Sequence, residues 1–266
     1  MPNSQETIYD PWAEIYDSVY SYVRSDIPLY TSAAIESGGP VLELGVGTGR
    51  VAVPTAEHGI DVVGVDNSEA MLAVASRKVA NLGEDAGSLE LIQADIRDFT
   101  LRDQEGKGKK FPLVTMPFRG FLAMLTVEDQ FSALRRIYEH LQPEGILVFN
   151  IFVPDPNMAL EQSDDLRHLM DVTDPETGLT RVLYQQSRYD FHNQIVSVRI
   201  LIEDLDRDNV VTRSMYRDYQ LRYCHRWEVH YMLQLCGFEI ESLYGDFDLS
   251  DFDESSTEMI WVARKP

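Results

Sequence analysis

Three carboxylates in this sequence sit in or just after short apolar runs: Glu43 in Val41-Leu42-Glu43-Leu44, Asp66 after Val62 to Val65, and Asp95 just after Leu89 to Gln93. The first run leads into Gly45-Val46-Gly47-Thr48-Gly49, a turn whose glycines let the backbone wrap closely around a ligand. A dinucleotide fingerprint would place its third glycine at Arg50; here glycine comes one position early, at Gly49. Glu43, read as facing the ligand crevice, would repel a pyrophosphate and attract an ammonium or sulfonium group. Asp66 lies 21 residues beyond Gly45 and can accept hydrogen bonds from two vicinal ribose hydroxyls. Asp95, with Ile96 beside it, suits the exocyclic amine and the face of adenine. Together these groups specify an adenosine with a positively charged, amino-acid-like tail, which is the chemistry of S-adenosylmethionine.

The elements that position them follow from periodicity. Residues 10–37 carry Trp12, Ile15, Tyr16, Val19, Tyr20 and Val23 at helical spacing, then Ile27-Pro28-Leu29-Tyr30 opening a second helix. From Pro40 onward, strands at 41–44, 62–65, 89–93, 113–116 and 146–153 alternate with helices at about 48–58, 69–80 and 127–141. That alternation predicts a parallel sheet with helices on both faces. Pro143-Glu144-Gly145 is read as the turn before the fifth strand. Pro154, Asp155 and Pro156 then open a turn-rich stretch, and 181–190, 195–205 and 210–221 alternate as antiparallel strands. The core resumes with a helix at 227–235 and strands at 239–244 and 259–263, joined by an acidic loop. The expected organisation is one domain over 1–266: a helical cap (1–39), a cofactor-binding core (40–153 and 223–266) and an antiparallel β insertion (154–222). The insertion is expected to serve as a lid or as the contact of a homodimer.

Composition narrows the partners. With 44 acidic and 23 basic residues the formal charge is −21, which repels nucleic acid and anionic membranes. The basic cluster Lys107, Lys109 and Lys110 sits among glycines without aromatic neighbours and reads as a solvated loop. Cys224 and Cys236 read as reduced thiols, the N-terminus is polar, and the longest apolar run, Ile146 to Val153, is too short to span a bilayer. A cytoplasmic protein is expected. The histidines show no metal-ligand spacing, and the acidic loop of Asp246, Asp248, Asp251, Asp253 and Glu254 lacks the glycine of a calcium loop, so no metal is expected.

Val41 to Arg50 (VLELGVGTGR), Val63 to Leu72 (VGVDNSEAML), Gln93 to Phe99 (QADIRDF) and Leu141 to Phe149 (LQPEGILVF) resemble the successive motifs of class I S-adenosylmethionine-dependent methyltransferases. The resemblance spans about 9–153 and, more loosely, 223–264. It implies a Rossmann-like, seven-stranded α/β sheet, here with an antiparallel β lid inserted after the fifth strand. Tyr9 to Asp17 and the strand-rich insertion resemble the small-molecule members, including sugar and glycine N-methyltransferase types. The reaction implied is transfer of a methyl group to oxygen, nitrogen or activated carbon of a small molecule.

By this resemblance Glu43 and the backbone at Gly45, Gly47 and Gly49 would hold the methionine part, and Asp66 the ribose. Asn67, Met71, Asp95 and Ile96 would border adenine, Met116 would lie beside the reactive methyl, and Tyr16 would close over the cofactor. Met71 also reads as core packing. Phe118 and Arg119, after the fourth strand, are substrate candidates, the arginine through its planar fork. Arg222 and Tyr223 are substrate candidates too, although Arg222 could equally pair with an acidic neighbour. His225 or Tyr20 could take the proton that leaves a hydroxyl or ammonium acceptor, or position the nucleophile. The sequence departs from the family near Pro112, where an acidic residue commonly sits. Two other readings compete: a nicotinamide-dependent oxidoreductase, disfavoured by Arg50 and Glu43, and a non-catalytic S-adenosylmethionine-binding protein.

Overall fold

The computed structural model describes residues 7–155, 157, 165–174 and 177–266. Pro156, read above as part of the turn opening the insertion, and the polar residues 1–6 lie outside the described residues. The chain begins with a 3-10 turn, Asp10–Trp12, followed by α1 (Ala13–Val19) and α2 (Ile27–Ser37). Strands β1 (Val41–Leu44), β2 (Val62–Asp66), β3 (Leu89–Gln93), β4 (Phe111–Met116) and β5 (Leu141–Phe152) then alternate with α3 (Ala52–Glu57), α4 (Glu69–Val79) and α5 (Val127–His140). An insertion supplies β6 (Arg167–Thr173), β7 (Thr180–Asp190), β8 (Ile195–Leu205) and β9 (Val211–Arg222), and α6 (Arg226–Leu235), β10 (Glu239–Tyr244) and β11 (Glu258–Arg264) close the chain.

The seven-stranded sheet has the order β10-β11-β5-β4-β1-β2-β3. Strands β1 to β5 are parallel, and β11 and β10 complete the sheet antiparallel. Every side chain of β1 is buried, as a central strand covered on both faces requires. Leu42, Leu44, Val114 and Phe149 pack toward α5 and α6, whereas Val41, Leu113, Val148 and Ile260 pack toward α2. Caps set the helix starts: Ser68 Oγ accepts from Met71 N at 3.0 Å, and Thr126 Oγ1 accepts from Asp129 N at 3.0 Å.

Three local differences from the sequence reading have physical reasons. Residues 48–51 form turns, so α3 is shorter than 48–58. Pro143-Glu144-Gly145 does not precede the fifth strand but bulges within it, with pairing jumping from Phe111↔Leu141 to Leu113↔Ile146. The insertion has a fourth strand, β6, paired with β7. Among the described residues no helix is long and apolar enough to cross a membrane.

The four-stranded sheet β6-β7-β8-β9 turns its apolar face onto the N-terminal segment. Trp12 and Val19 are buried against Val172, Leu183, Val196, Val198, Ile200, Ile202 and Met215, so cap and insertion share one core. The ring of Trp12 stacks on Tyr219 with centroids 6.2 Å apart and meets Tyr16 edge-on at 5.5 Å. Its indole N–H has no hydrogen-bond partner among the described residues. Trp12→Ala is expected to lower stability by about 3–5 kcal/mol, while Trp12→Phe loses much less. Urea unfolding of both variants checks this; equal losses would show that the ring is not what joins cap to insertion.

Candidate active site

The glycine turn lies at the carboxyl ends of β1 and β2. Gly45, Gly47 and Gly49 have φ of +68°, +54° and +77°, the left-handed region that side chains disfavour. A Cβ on Gly45 would meet no atom within 4 Å, so the turn fronts open space. Behind it the packing is tight: a Cβ on Gly64 would lie 2.7 Å from Val46 Cγ2. Asp66 ties the two strand ends together, accepting from Gly47 N at 2.9 Å and Ser68 N at 2.8 Å. Burial pushes its carboxyl pKa up, against the pull of those backbone donors. Two carboxylate oxygens offer about four acceptor sites, so Asp66 retains capacity for a ribose diol. Asn67 is exposed beside it, and Gln93 Nε2 donates to the Asn67 carbonyl at 3.2 Å.

Other predicted contacts are arranged differently. Glu43 was expected to face the crevice, but it is only 3% exposed. Its neighbours Leu42 and Leu44 pack toward α5 and α6, so strand alternation turns Glu43 to the α2 side. There burial pushes its pKa up to about 8, against the opposing pull of the Arg50 cation and of the Ala52 backbone at the start of α3. Arg50, absent from the predicted site, grips buried Asp26 at 2.7 and 2.5 Å and lies 4.8 Å over the Phe118 ring. Met71 is 3% exposed and packs with Ala13, Val74, Tyr9 and Tyr16, which favours its core reading over an adenine contact. Asp95 is already held by Arg97 at 2.9, 3.0 and 2.5 Å, which lowers its carboxyl pKa. Ile96 packs against the main core beside it. Met116 is buried in the main core, so the residue offers the crevice no open surface.

The N-terminal cap is latched over the turn. Thr48 Oγ1 donates to Asp17 at 2.5 Å, Lys78 bridges Asp17 at 2.5 Å and donates to the Thr48 carbonyl at 2.8 Å, and Ser68 Oγ donates to Asp10. This brings Tyr16 and Tyr20 together at 4.8 Å, with Phe118 5.0 Å from Tyr20 and 6.4 Å from Tyr16. Tyr219 of β9 closes the cluster, and the nearby Tyr20 hydroxyl pulls its pKa down against the larger effect of burial. Burial, the largest cause in each case, raises the pKa of Tyr9, Tyr16, Tyr20 and Tyr219. Tyr20 therefore keeps its proton at neutral pH, which favours the positioning role over the proton-accepting one. The sequence reading missed Tyr9, Asp17, Arg50 and Tyr219 as site residues. Helical spacing with Tyr16 and Tyr20 could have flagged Tyr9, but nothing local marks Tyr219.

Phe118 and Arg119 leave β4 with consecutive φ values of +52° and +64°. Non-glycine residues in sparsely populated backbone regions cost about 1–3 kcal/mol each and cluster at functional sites. Arg119 donates to Glu258 at 2.5 Å and lies 5.2 Å over the Phe152 ring. The remaining candidates lie apart from this cluster. Arg222 is buried and bonded to Gln130 at 3.0 Å, Gln194 at 3.0 Å, Glu228 at 2.5 Å and Cys224 Sγ at 3.1 Å. It joins the insertion to α5 and α6 and is the paired arginine of the alternative reading, not a substrate contact. Tyr223 and His225 line a cavity of about 640 Å³ with Pro154, Asp155, Phe191, His192, Gln194 and Glu228. Tyr20, Phe118 and Arg119 do not line it, so the structure does not bring the two expected proton acceptors together.

The open glycine cradle, the spare acceptor capacity of Asp66 and the apolar flank of Ile96 fit S-adenosylmethionine. Fold and site together define a class I S-adenosylmethionine-dependent methyltransferase, and the chain belongs to that class. Residues 41–145 match the methyltransferase domain family. The chain is 25% identical to a putative methyltransferase, YqeM, of Bacillus subtilis (strain 168), covering 97% of each. It is 27% identical to the cypemycin N-terminal methyltransferase of a Streptomyces species, covering 98% of this chain and 99% of that one. The solved structure of the CcbJ methyltransferase from Streptomyces caelestis superposes with a TM-score of 0.76 at 26% identity, covering 98% of both chains.

Asp66→Ala is expected to weaken S-adenosylmethionine binding by at least about tenfold, corresponding to loss of a hydrogen bond to a charged group, with the fold retained. Calorimetric titration checks it. Glu43 gives a second expectation. Its folded pKa of about 8 exceeds the ordinary 4.5, so the folded chain holds a proton that the unfolded chain releases between these values. Its contribution to stability is complete below pH 4.5 and falls as pH rises toward 8. Glu43→Gln should be more stable than the parent at pH 8 by about 2–4 kcal/mol, the gap closing toward pH 4.5. Urea unfolding across that range reads the slope directly.

Proposed function

We propose that the enzyme methylates an amine nitrogen of a small molecule. The observation carrying this reading is the aromatic enclosure beside the glycine turn, to which α1 contributes Tyr16, its C-terminal end Tyr20, the β4 turn Phe118 and β9 Tyr219. Aromatic faces attract cations, so the enclosure suits both a sulfonium donor and the ammonium product. Similarity, at 27% identity along nearly the whole chain, to a methyltransferase named for N-terminal methylation supports nitrogen as the accepting atom.

When bound, S-adenosylmethionine supplies an electrophilic methyl group on a sulfonium sulfur. Asp66 would take the ribose, the backbone at Gly45 and Gly47 the methionine part, and Asn67, Asp95 and Ile96 the adenine. Tyr20, fixed by its ring contacts to Tyr16, Trp12 and Phe118, would orient the acceptor lone pair, and the rings of Tyr16 and Phe118 would exclude water. Proximity and alignment of this kind supply about 7–11 kcal/mol in favourable cases. The tyrosines keep their protons and His225 lines a separate cavity, so the amine enters neutral and its proton leaves to solvent after transfer.

Incubation with labelled S-adenosylmethionine and matched amines, alcohols and phenols, read by mass spectrometry, tests the proposal. Label is expected on amines only, with kcat rising with pH up to the pKa of the amine. Tyr20→Phe should lower kcat by about tenfold and leave cofactor affinity within about threefold, as loss of one orienting hydrogen bond predicts. Transfer to alcohols at rates equal to the amines would refute nitrogen selectivity.

A further inference from the structure

Behind the aromatic enclosure runs a buried polar chain that the methyl-transfer reading leaves unused. Tyr30 Oη donates to Asn150 Oδ1 at 2.8 Å, Asn150 Nδ2 donates to Glu258 Oε2 at 2.9 Å, and Glu258 Oε1 receives Arg119 Nη2 at 2.5 Å. Tyr30, Asn150 and Glu258 are all buried, whereas the Arg119 side chain is 41% exposed. The chain therefore fixes one edge of a guanidinium whose other donors, Nε and Nη1, make no hydrogen bond among the described residues. A fixed and partly open fork of this kind is the geometry that binds a carboxylate with directional preference.

Charge sharpens the argument. Two cations act on the tyrosines of the enclosure, Arg50 on Tyr16 and Arg119 on Tyr219. Arg50 is consumed by its two bonds to Asp26 and is nearly inaccessible. In a chain of formal charge −21 an anionic group is repelled from most of the surface, so Arg119 is the place where the enclosure can receive one. From the strained backbone at Phe118 and Arg119 the ring goes to Tyr16 and Tyr20 and the cation to Glu258 and Phe152.

Building on the proposed amine methylation, we infer that Arg119, positioned by Glu258, Asn150 and Tyr30, binds a carboxylate of the acceptor, so that the acceptor is an amino acid or a similar amino-carboxylate. Glu258, Asn150 and Tyr30 act through the arginine and are positioning residues.

The test divides a metabolite extract into three portions: untreated, with carboxyl groups converted to amides, and treated with phosphatase. Each is incubated with the full-length enzyme and labelled S-adenosylmethionine. Label is expected in the untreated and phosphatase-treated portions and reduced about 30-fold or more after amidation, as removal of one partner of a close ion pair predicts. Equal labelling with and without amidation overturns the inference while leaving amine methylation standing, and loss confined to the phosphatase portion replaces carboxylate by phosphate and overturns it too. Label in no portion sinks the transferase reading and this inference together. Two variants add a readout that needs no acceptor. Arg119→Leu should bind S-adenosylmethionine within about threefold of the parent, whereas a loss of tenfold or more would assign the arginine to the methionine carboxylate instead. Tyr30→Phe, the mildest cut in the chain, should raise KM for the labelled acceptor severalfold with kcat held and KM unchanged for its amide. A fall in kcat with both acceptors would mark the chain as structural only.

Discussion

The carboxylate of Asp66 is the joint on which the site depends. By accepting from Gly47 and Ser68 it binds the end of β2 to the turn after β1, and so fixes the gap in which a nucleoside must lie. Each strand end alone is a loose loop start. Pinned together, and backed by the close approach of Val46 to Gly64, they form a cradle whose donors and acceptors need no rearrangement on binding. The same carboxylate that shapes the protein is available to the ligand, which explains how a partly buried acid at a strand end can be structural and functional at once.

Everything that closes the site is attached to this joint from outside the sheet. Ser68, which caps α4, also donates to Asp10, and the Thr48 hydroxyl of the turn donates to Asp17. The cap is therefore bonded to the groups that surround Asp66, and Trp12 in turn couples the cap to the insertion. The aromatic enclosure is assembled from parts far apart in sequence but joined in one continuous set of contacts. The β9 ring Tyr219 is linked to the glycine turn by ring contacts through Trp12 and Tyr16, and by Asp17, next to Tyr16 in the chain, which accepts from Thr48.

Much of this was legible in the sequence, for reasons that also explain the gaps. The alternation of buried strands and amphipathic helices is a local signal, and β1 to β5, α4 to α6 and the closing strands stand close to where periodicity put them. β6 was missed because Arg167–Thr173 is largely exposed and carries little apolar alternation. The burial of Glu43 was recoverable in principle, since a residue between Leu42 and Leu44 must point away from the face they share. What one-dimensional pattern could not supply were the long-range pairings. Arg119 and Glu258 lie 139 positions apart, and Arg222 reaches Gln130 across 92, so neither commitment leaves a trace in local spacing. Of the two, only the partner of Arg119 leaves the guanidinium partly open.

That contrast bears on why a stable fold would carry so many charges inside. Buried ion pairs rarely add net stability over apolar residues of the same volume, because desolvation offsets the attraction. Arg222, enclosed by Gln130, Gln194 and Glu228, secures a junction between insertion and core that apolar packing could also have secured. The layer formed by Asp26, Arg50, Glu43, Asn150 and Glu258 has a different rationale, since its bonds fix the start of α2 through Asp26 and the turn after β4 through Glu258 and Arg119. An apolar layer there would pack as well but would leave the strained turn at Phe118 and Arg119 without a directional anchor. The polar layer trades packing for orientation, and it does so at the edge of the sheet where transfer chemistry needs orientation most.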